Sequence, residues 1–72
     1  MNKEQAEDVG ASYEIMRARK KSDPDTLYRL YKNGDIGREL GNNYTLYSNG
    51  VFVHSFASYF EAVQCFKRLR DN

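Results

Sequence analysis

The chain has 72 residues, with 11 Lys and Arg, 10 Asp and Glu, six Tyr, one His and one Cys. This length allows one small domain, and a net charge of +1 gives no general attraction to nucleic acid. The single cysteine excludes an internal disulfide, and neither a secretory signal nor an apolar run of ~20 residues is present, so we expect a cytoplasmic protein without membrane contact.

The first third of the chain predicts a frayed terminus followed by a helix. Residues 1–8 are polar, and we expect the single folded domain to span residues 9–72. Apolar residues at helical spacing start at Ala6, and the clearest part of this pattern covers residues 11–20. Acidic residues precede basic ones, as the helix dipole favours, and Pro24 ends the pattern.

A repeated motif in the middle of the chain predicts additional strands. Tyr-x-Leu-Tyr-x-Asn-Gly occurs at residues 28–34 and again at residues 44–50. If both copies fold alike, residues 27–32 form a strand and Asn33-Gly34 forms a turn. Residues 36–40 then return as the next strand of the sheet.

A short helix is the alternative for the same segment. Asp23 would be its N-cap, Pro24 its first residue and Gly34 the residue after its last turn. We favour the strand because of the repeat and its two tyrosines per copy.

The second copy of the motif belongs to a predicted β-hairpin over residues 44–56. Asn49-Gly50 separates two β-rich runs and suits a type I′ turn, which needs positive φ at both central residues. An unbroken register then distributes the side chains over two faces. The expected core face carries Tyr44, Leu46, Val51, Val53 and Ser55. The second face, aromatic and polar, carries Thr45, Tyr47, Phe52, His54 and Phe56.

The last segment predicts an amphipathic helix. Ser58 followed by Glu61 forms a capping box at its start. Its apolar stripe consists of Tyr59, Ala62, Val63, Phe66 and Leu69. The predicted fold is therefore α+β, a small antiparallel meander of three or four strands with an N-terminal helix and a C-terminal helix packed on one sheet face.

The sequence contains no pattern of a catalytic, cofactor or metal site. His54 and Cys65 are the only residues of their types and are distant in sequence, so they do not make a metal site. No Gly-rich phosphate loop, nucleophile elbow or carboxylate pair is present. We therefore expect a protein that is not an enzyme, takes no small-molecule substrate and uses no cofactor.

A surplus of aromatic residues favours protein binding as the function. Tyrosine offers a large contact area with few rotatable bonds, which suits a binding surface. The predicted partner-binding residues are Tyr47, Phe52, His54, Phe56 and Phe60. We expect a non-catalytic domain that binds a larger partner protein or a second copy of itself. Its size suits an accessory protein of a phage or mobile element that inhibits its partner by steric blockade.

Nucleic-acid binding is the alternative function. Basic residues occur in three clusters, and a surface on which they converge with aromatic rings would bind phosphates and stack bases. The residues predicted for this role are Arg17, Arg19, Lys20, Lys21, Arg29, Lys32, Arg38, Lys67 and Arg68.

One short motif resembles a known class of DNA-binding domain. Phe56, Ser58, Glu61 and Ala62 form Phe-x-Ser-x-x-Glu-Ala where the predicted sheet passes into the last helix. This arrangement is similar to the arm-type DNA-binding domains of phage integrases, and the resemblance implies a sheet that enters the major groove. The chain departs from that pattern because its clearest strands carry Tyr, Thr, Ser, Phe and His where such domains usually carry Arg and Lys.

Overall fold

The protein is built on a four-stranded antiparallel sheet, with helices before, within and after it. The computed structural model describes residues 2–72. Its elements are α1 (Lys3–Val9), β1 (Tyr13–Lys20), β2 (Asp23–Lys32), α2 (Asp35–Glu39), β3 (Tyr44–Ser48), β4 (Val51–Phe56) and α3 (Tyr59–Asp71). The strands lie in the order β1-β2-β3-β4, and α3 packs on one face of the sheet. This architecture confirms the predicted α+β meander with a helix at each end.

The N-terminal third is arranged differently from the prediction. Residues expected to be frayed form α1, which Gly10 ends in a left-handed conformation with φ 68°. The prediction of a helix over residues 11–20 is wrong, because most of these residues form β1. Ile15 and Met16 both pack against the core at an irregularity in the β1–β2 register. Adjacent apolar residues that both face inward resemble helical spacing and hide the alternation of a strand.

Pairing of β2 with β3 explains the repeated motif. Leu30 faces Leu46 in the antiparallel register, and both side chains are fully buried. Each copy therefore contributes one leucine to the core and turns its second tyrosine, Tyr31 or Tyr47, to the opposite face. The strand predicted over residues 27–32 is confirmed, and the alternative helix is wrong.

Residues 36–40 do not return as a strand. They lie in and just after α2, where Asp35 and Arg38 form an ion pair one turn apart. The side-chain amide of Asn33 donates a hydrogen bond to the carbonyl oxygen of Asn42 at 2.8 Å and closes the base of this loop. The fourth strand of the sheet is β1 instead, on the side of β2 away from β3.

The β3–β4 hairpin has the predicted turn but only part of the predicted register. Asn49 and Gly50 have φ of 50° and 81°, the positive values that a type I′ turn needs. A bulge at Val53 then shifts the pairing, so that Leu46 faces His54 instead of Val53. Side chains beyond the bulge therefore lie on the faces opposite to those predicted.

The bulge buries a large ring that was assigned to the wrong face. Phe56 is only 9% exposed beneath α3, whereas Val51 and Val53, expected in the core, are 67% and 41% exposed. Burying a phenylalanine ring removes more apolar area from water than burying a valine side chain. The burial of Phe56 requires α3, so it cannot be read from the hairpin alone. It favours the bulged register over the unbroken one that the hairpin sequence predicts.

Helix α3 supplies the second layer of the core. It starts after Ser58 as predicted, and Ala62 and Phe66 of its apolar stripe are fully buried against the sheet. At its far end, the backbone N–H of Lys21 donates to the carbonyl oxygen of Arg70 at 2.8 Å. The helix is thus fixed across one face of the sheet from end to end.

Candidate functional site

Helix α3 packs on one face of the sheet, and we call the opposite face the open sheet face. Leu30 and Leu46 point towards α3, so the alternating residues Arg29, Tyr31 and Tyr47 point away from it. Helix α1 contacts β1 alone among the strands. The charged and aromatic residues that define the open sheet face are Glu14, Arg17, Arg19, Arg29, Tyr31, Tyr47 and Phe52, and the register places Leu27, Thr45 and Ser55 on the same face.

A row of four side chains crosses the open sheet face, one from each strand, and we call it the transverse row. Arg17 of β1 pairs with Arg29 of β2, Arg29 pairs with Tyr47 of β3, and Tyr47 pairs with Phe52 of β4. With neighbouring strands about 4.8 Å apart, the row is roughly 14 Å long. It sets two guanidinium groups beside two aromatic rings.

Glu14 holds the two arginines of the transverse row together. Arg17 donates to both carboxylate oxygens, with Nε–Oε1 and Nη2–Oε2 distances of 2.9 and 3.0 Å. Arg29 Nε lies 3.8 Å from the same Oε1 atom. The hydrogen bond to Glu14 raises the pKa of Arg17 above its usual value. Arg19 lies on the same face, where its Nη1 donates to the carbonyl oxygen of Pro24 at 2.8 Å.

A shallow depression of about 280 Å³ lies beside the transverse row. Its lining consists of Ser12, Arg29, Tyr31, Asn33, Tyr47 and Gly50. The rings of Tyr31 and Tyr47 meet edge to face with centroids 5.4 Å apart. Thr45, which pairs with Tyr31, donates its hydroxyl to Asn33 Oδ1 at 2.9 Å. Cationic, aromatic and polar groups thus surround a space open to solvent.

The basic residues predicted for nucleic-acid binding are brought together only in part. Arg17, Arg19 and Arg29 share the open sheet face. Lys32 alternates to the other face of β2, where it pairs with Tyr44. The others lie at the end of β1, at the β1–β2 turn, on α2 or on α3, and are Lys20, Lys21, Arg38, Lys67 and Arg68.

The residues predicted for partner binding do not share one surface. Tyr47 and Phe52 lie on the open sheet face, whereas Phe56 is buried in the core. His54 pairs with Leu46 on the α3 side of the sheet, and its ring centroid is 4.8 Å from that of Phe56. The expectation of a single aromatic face was wrong because the bulge in β4 moves the side chains of the residues after it to the opposite sheet face.

Edge strand β4 and the adjacent flank of α3 form a second exposed surface, the β4–α3 side. The groove between them is lined by Phe56, Phe60, Glu61, Gln64, Cys65 and Arg68. Phe60 is 71% exposed, and Val51 and Phe52 on β4 are 67% and 58% exposed. Large apolar side chains are therefore exposed along this edge, as Val9, Ile36 and Leu40 also are on and beside α1 and α2.

Sequence reasoning missed two of the charged and aromatic residues of the open sheet face, Glu14 and Tyr31. Tyr31 could have been predicted, because it occupies the same position as Tyr47 in the repeated motif. Glu14 carried none, since its position beside Arg17 and Arg29 depends on the pairing of β1 with β2.

Over residues 2–72, no three His, Cys, Asp or Glu side chains are grouped closely enough to hold a metal ion. None of the helices in that range is long and apolar enough to cross a membrane. Comparison with protein-family models, with curated proteins and with solved structures found no match to this chain.

Proposed function

We propose that the protein is a non-catalytic domain that binds single-stranded nucleic acid through its open sheet face. The transverse row carries this proposal, because Arg17 and Arg29 lie in line with Tyr47 and Phe52 across all four strands. Phosphate binding and base stacking thus fall on one continuous surface.

Each half of the transverse row has a defined partner on a nucleic acid. A guanidinium group forms two parallel hydrogen bonds with a phosphate, and paired arginines span neighbouring phosphate oxygens. Stacking of a base on an aromatic ring contributes about 1–3 kcal/mol and tolerates every base. Four-stranded sheets that stack two or three bases on such rings are known among RNA-binding modules.

An unpaired strand fits the open sheet face better than a duplex. Aromatic rings on a flat sheet need bases that are free to leave their own stack. A net charge of +1 also provides little of the non-specific electrostatic attraction on which duplex binding depends. The negative charge of Glu14 lowers the electrostatic attraction further. A bound phosphate would compete with the Glu14 carboxylate for Arg17 and Arg29.

Fluorescence anisotropy with short labelled oligonucleotides tests the proposal. We expect binding of single-stranded DNA or RNA at about 50 mM salt that weakens roughly tenfold by about 200 mM, the loss expected for two or three phosphate contacts. Arg29→Ala should weaken binding, whereas Lys67→Ala, a matched basic residue on the exposed surface of α3, should leave it unchanged. Absence of binding to any single strand at the lower salt concentration would overturn the proposal.

Protein binding is a second candidate function, favoured by the β4–α3 side. Exposed apolar residues such as Val51 and Phe60 in one region are typical of protein contacts. A small accessory protein with such a surface could block a larger partner. Capture of the same partner after nuclease treatment and at high salt, lost in Phe60→Ala, would support this function. Capture that survives the substitution would exclude the β4–α3 side.

A further inference from the structure

We propose that the open sheet face selects guanine at one position of the bound strand, and that Arg29 recognises this base. The inference rests on the proposed binding of single-stranded nucleic acid, and it names the base that occupies the depression beside the transverse row. Arg29 and Tyr47 belong both to the transverse row and to the lining of the depression.

The depression suits a single base. The rings of Tyr31 and Tyr47, which both line it, stand almost at right angles, with an interplanar angle of 89° and centroids 5.4 Å apart. A flat base stacks on a ring that is parallel to it, so two perpendicular rings do not support a continuous stack of bases. The space of about 280 Å³ is also smaller than most sites for drug-sized ligands, as a site for one base should be.

Hydrogen bonds within the protein hold one end of the depression in place. Asn33, which is part of the lining, accepts the hydroxyl of Thr45 at 2.9 Å and donates through Nδ2 to the carbonyl oxygen of Asn42 at 2.8 Å. Thr45 is itself only 6% exposed. A site whose walls are fixed before binding loses less side-chain entropy when a ligand enters. A base in the depression therefore meets a defined surface.

Arg29 is the cationic residue of the lining, and Glu14 leaves its terminal nitrogens available. The neighbouring Arg17 donates two hydrogen bonds to Glu14, at 2.9 and 3.0 Å. The closest approach of Arg29 to Glu14 is 3.8 Å, from Nε to Oε1, which is too long for a hydrogen bond. Because arginine has five N–H donors, Arg29 can contact a phosphate through Nε and a base through Nη1 and Nη2.

Guanine is the base whose exposed edge matches a guanidinium group. Its N7 and O6 atoms are adjacent acceptors and take two parallel hydrogen bonds from one arginine. Adenine sets an N6 donor beside N7, and thymine sets a methyl group beside its O4 acceptor. Stacking accepts every base, so selection depends on the edge. Since Tyr47 is the cross-strand neighbour of Arg29, a base stacked on Tyr47 lies within reach of the Arg29 side chain.

Fluorescence anisotropy with thymidine oligonucleotides that differ only at one central base tests the inference. We expect central guanine to bind at least about fivefold more tightly than central adenine, cytosine or thymine. Hypoxanthine keeps N7 and O6 and should retain this preference, whereas 7-deazaguanine lacks N7 and should lose most of it. Equal affinities for all central bases would overturn the selection of guanine and leave the proposed function standing. Absence of binding to every oligonucleotide would overturn both.

Two arginine substitutions separate base recognition from phosphate binding. Arg29→Lys keeps the charge but loses the planar pair of donors, so the preference for guanine should fall to within about twofold. Arg17→Lys, the same change at the position paired with Arg29, is the matched control. It should weaken all oligonucleotides alike and keep the preference. Circular dichroism verifies that both variants are folded. Equal weakening of all oligonucleotides by Arg29→Lys would assign Arg29 to phosphate alone and overturn the inference.

Discussion

Arg17 and Arg29 face each other directly across β1 and β2, and both lie within 4 Å of Glu14 Oε1. Like charges at directly opposed positions destabilise a sheet, and one carboxylate relieves only part of that repulsion. Local rules of this kind are most often broken at functional sites. A phosphate matches both the charge and the hydrogen-bond geometry of such a pair.

Removal of the Glu14 carboxylate should strengthen nucleic-acid binding while weakening the fold. In Glu14→Gln the β1–β2 register still sets the two arginines opposite each other, but they lose the competing anion. The slope of log affinity against log salt should become steeper by about one. Anisotropy titrations at several salt concentrations measure the slope, and thermal unfolding at low salt should give a lower melting temperature. Glu39→Gln on α2 has the same charge change and should alter neither value.

The ring of Tyr47 should contribute to affinity by stacking. Tyr47→Ala should weaken oligonucleotide binding about tenfold to a hundredfold, the loss expected for one stacked base. Tyr47→Phe keeps the ring and should bind almost as well as the wild type. Tyr59→Ala removes a ring that is 57% exposed on α3 and serves as the control. Equal effects of Tyr47→Ala and Tyr59→Ala would contradict the stacking role.

The leucines of the repeated motif should dominate stability. Leu30→Ala or Leu46→Ala leaves a cavity between the sheet and α3 and should cost about 2–5 kcal/mol of unfolding free energy. A domain of this size has roughly 3–5 kcal/mol in total, so either variant should be largely unfolded. Leu40→Ala, at a site 73% exposed, should change stability by less than about 0.5 kcal/mol. Urea denaturation followed by circular dichroism measures all three.

The end of α3 should make stability sensitive to acid. Hydrogen bonds from Arg70 and from Lys21 lower the pKa of Asp71 from 3.8 to about 2. A carboxyl group with a lowered pKa stabilises the fold above its unfolded pKa, and that contribution is lost as the pH falls towards 2. Asp71→Asn should therefore flatten the fall of the melting temperature between about pH 4 and 2, modestly because these groups are partly exposed. Asp8→Asn on α1 is the control, and its melting temperature should fall over the same pH range as that of the wild type.

Local sequence signals were sufficient for β2, β3, the hairpin turn and α3. The repeated motif sets Leu30 against Leu46, and Asn49-Gly50 suits its turn with little dependence on the rest of the chain. Helix α3 has its own N-cap at Ser58 and its own apolar stripe. The turn and α3 are each decided by neighbouring residues, whereas β2 was predicted from a repeat whose two copies lie 16 residues apart.

Strand β1 and the β4 register depended on contacts that are distant in sequence. Ile15 and Met16 both face the core because β1 is irregular beside β2, and this pattern resembles a helix when it is considered alone. The bulge at Val53 exists because Phe56 gains burial beneath α3. The transverse row could therefore not be predicted from local sequence, since Arg17 pairs with Arg29 only when β1 is part of the sheet.

Chemical-shift mapping by NMR tests the proposed nucleic-acid interface most directly. A ¹⁵N-labelled chain is titrated with a short single-stranded oligonucleotide at low salt. The proposal predicts that amide shifts concentrate on β1 to β4 around Arg17, Arg29, Tyr47 and Phe52, while the outer surface of α3 around Lys67 stays unchanged. Shifts centred on α3, or no shifts at saturating oligonucleotide, would contradict binding through the open sheet face.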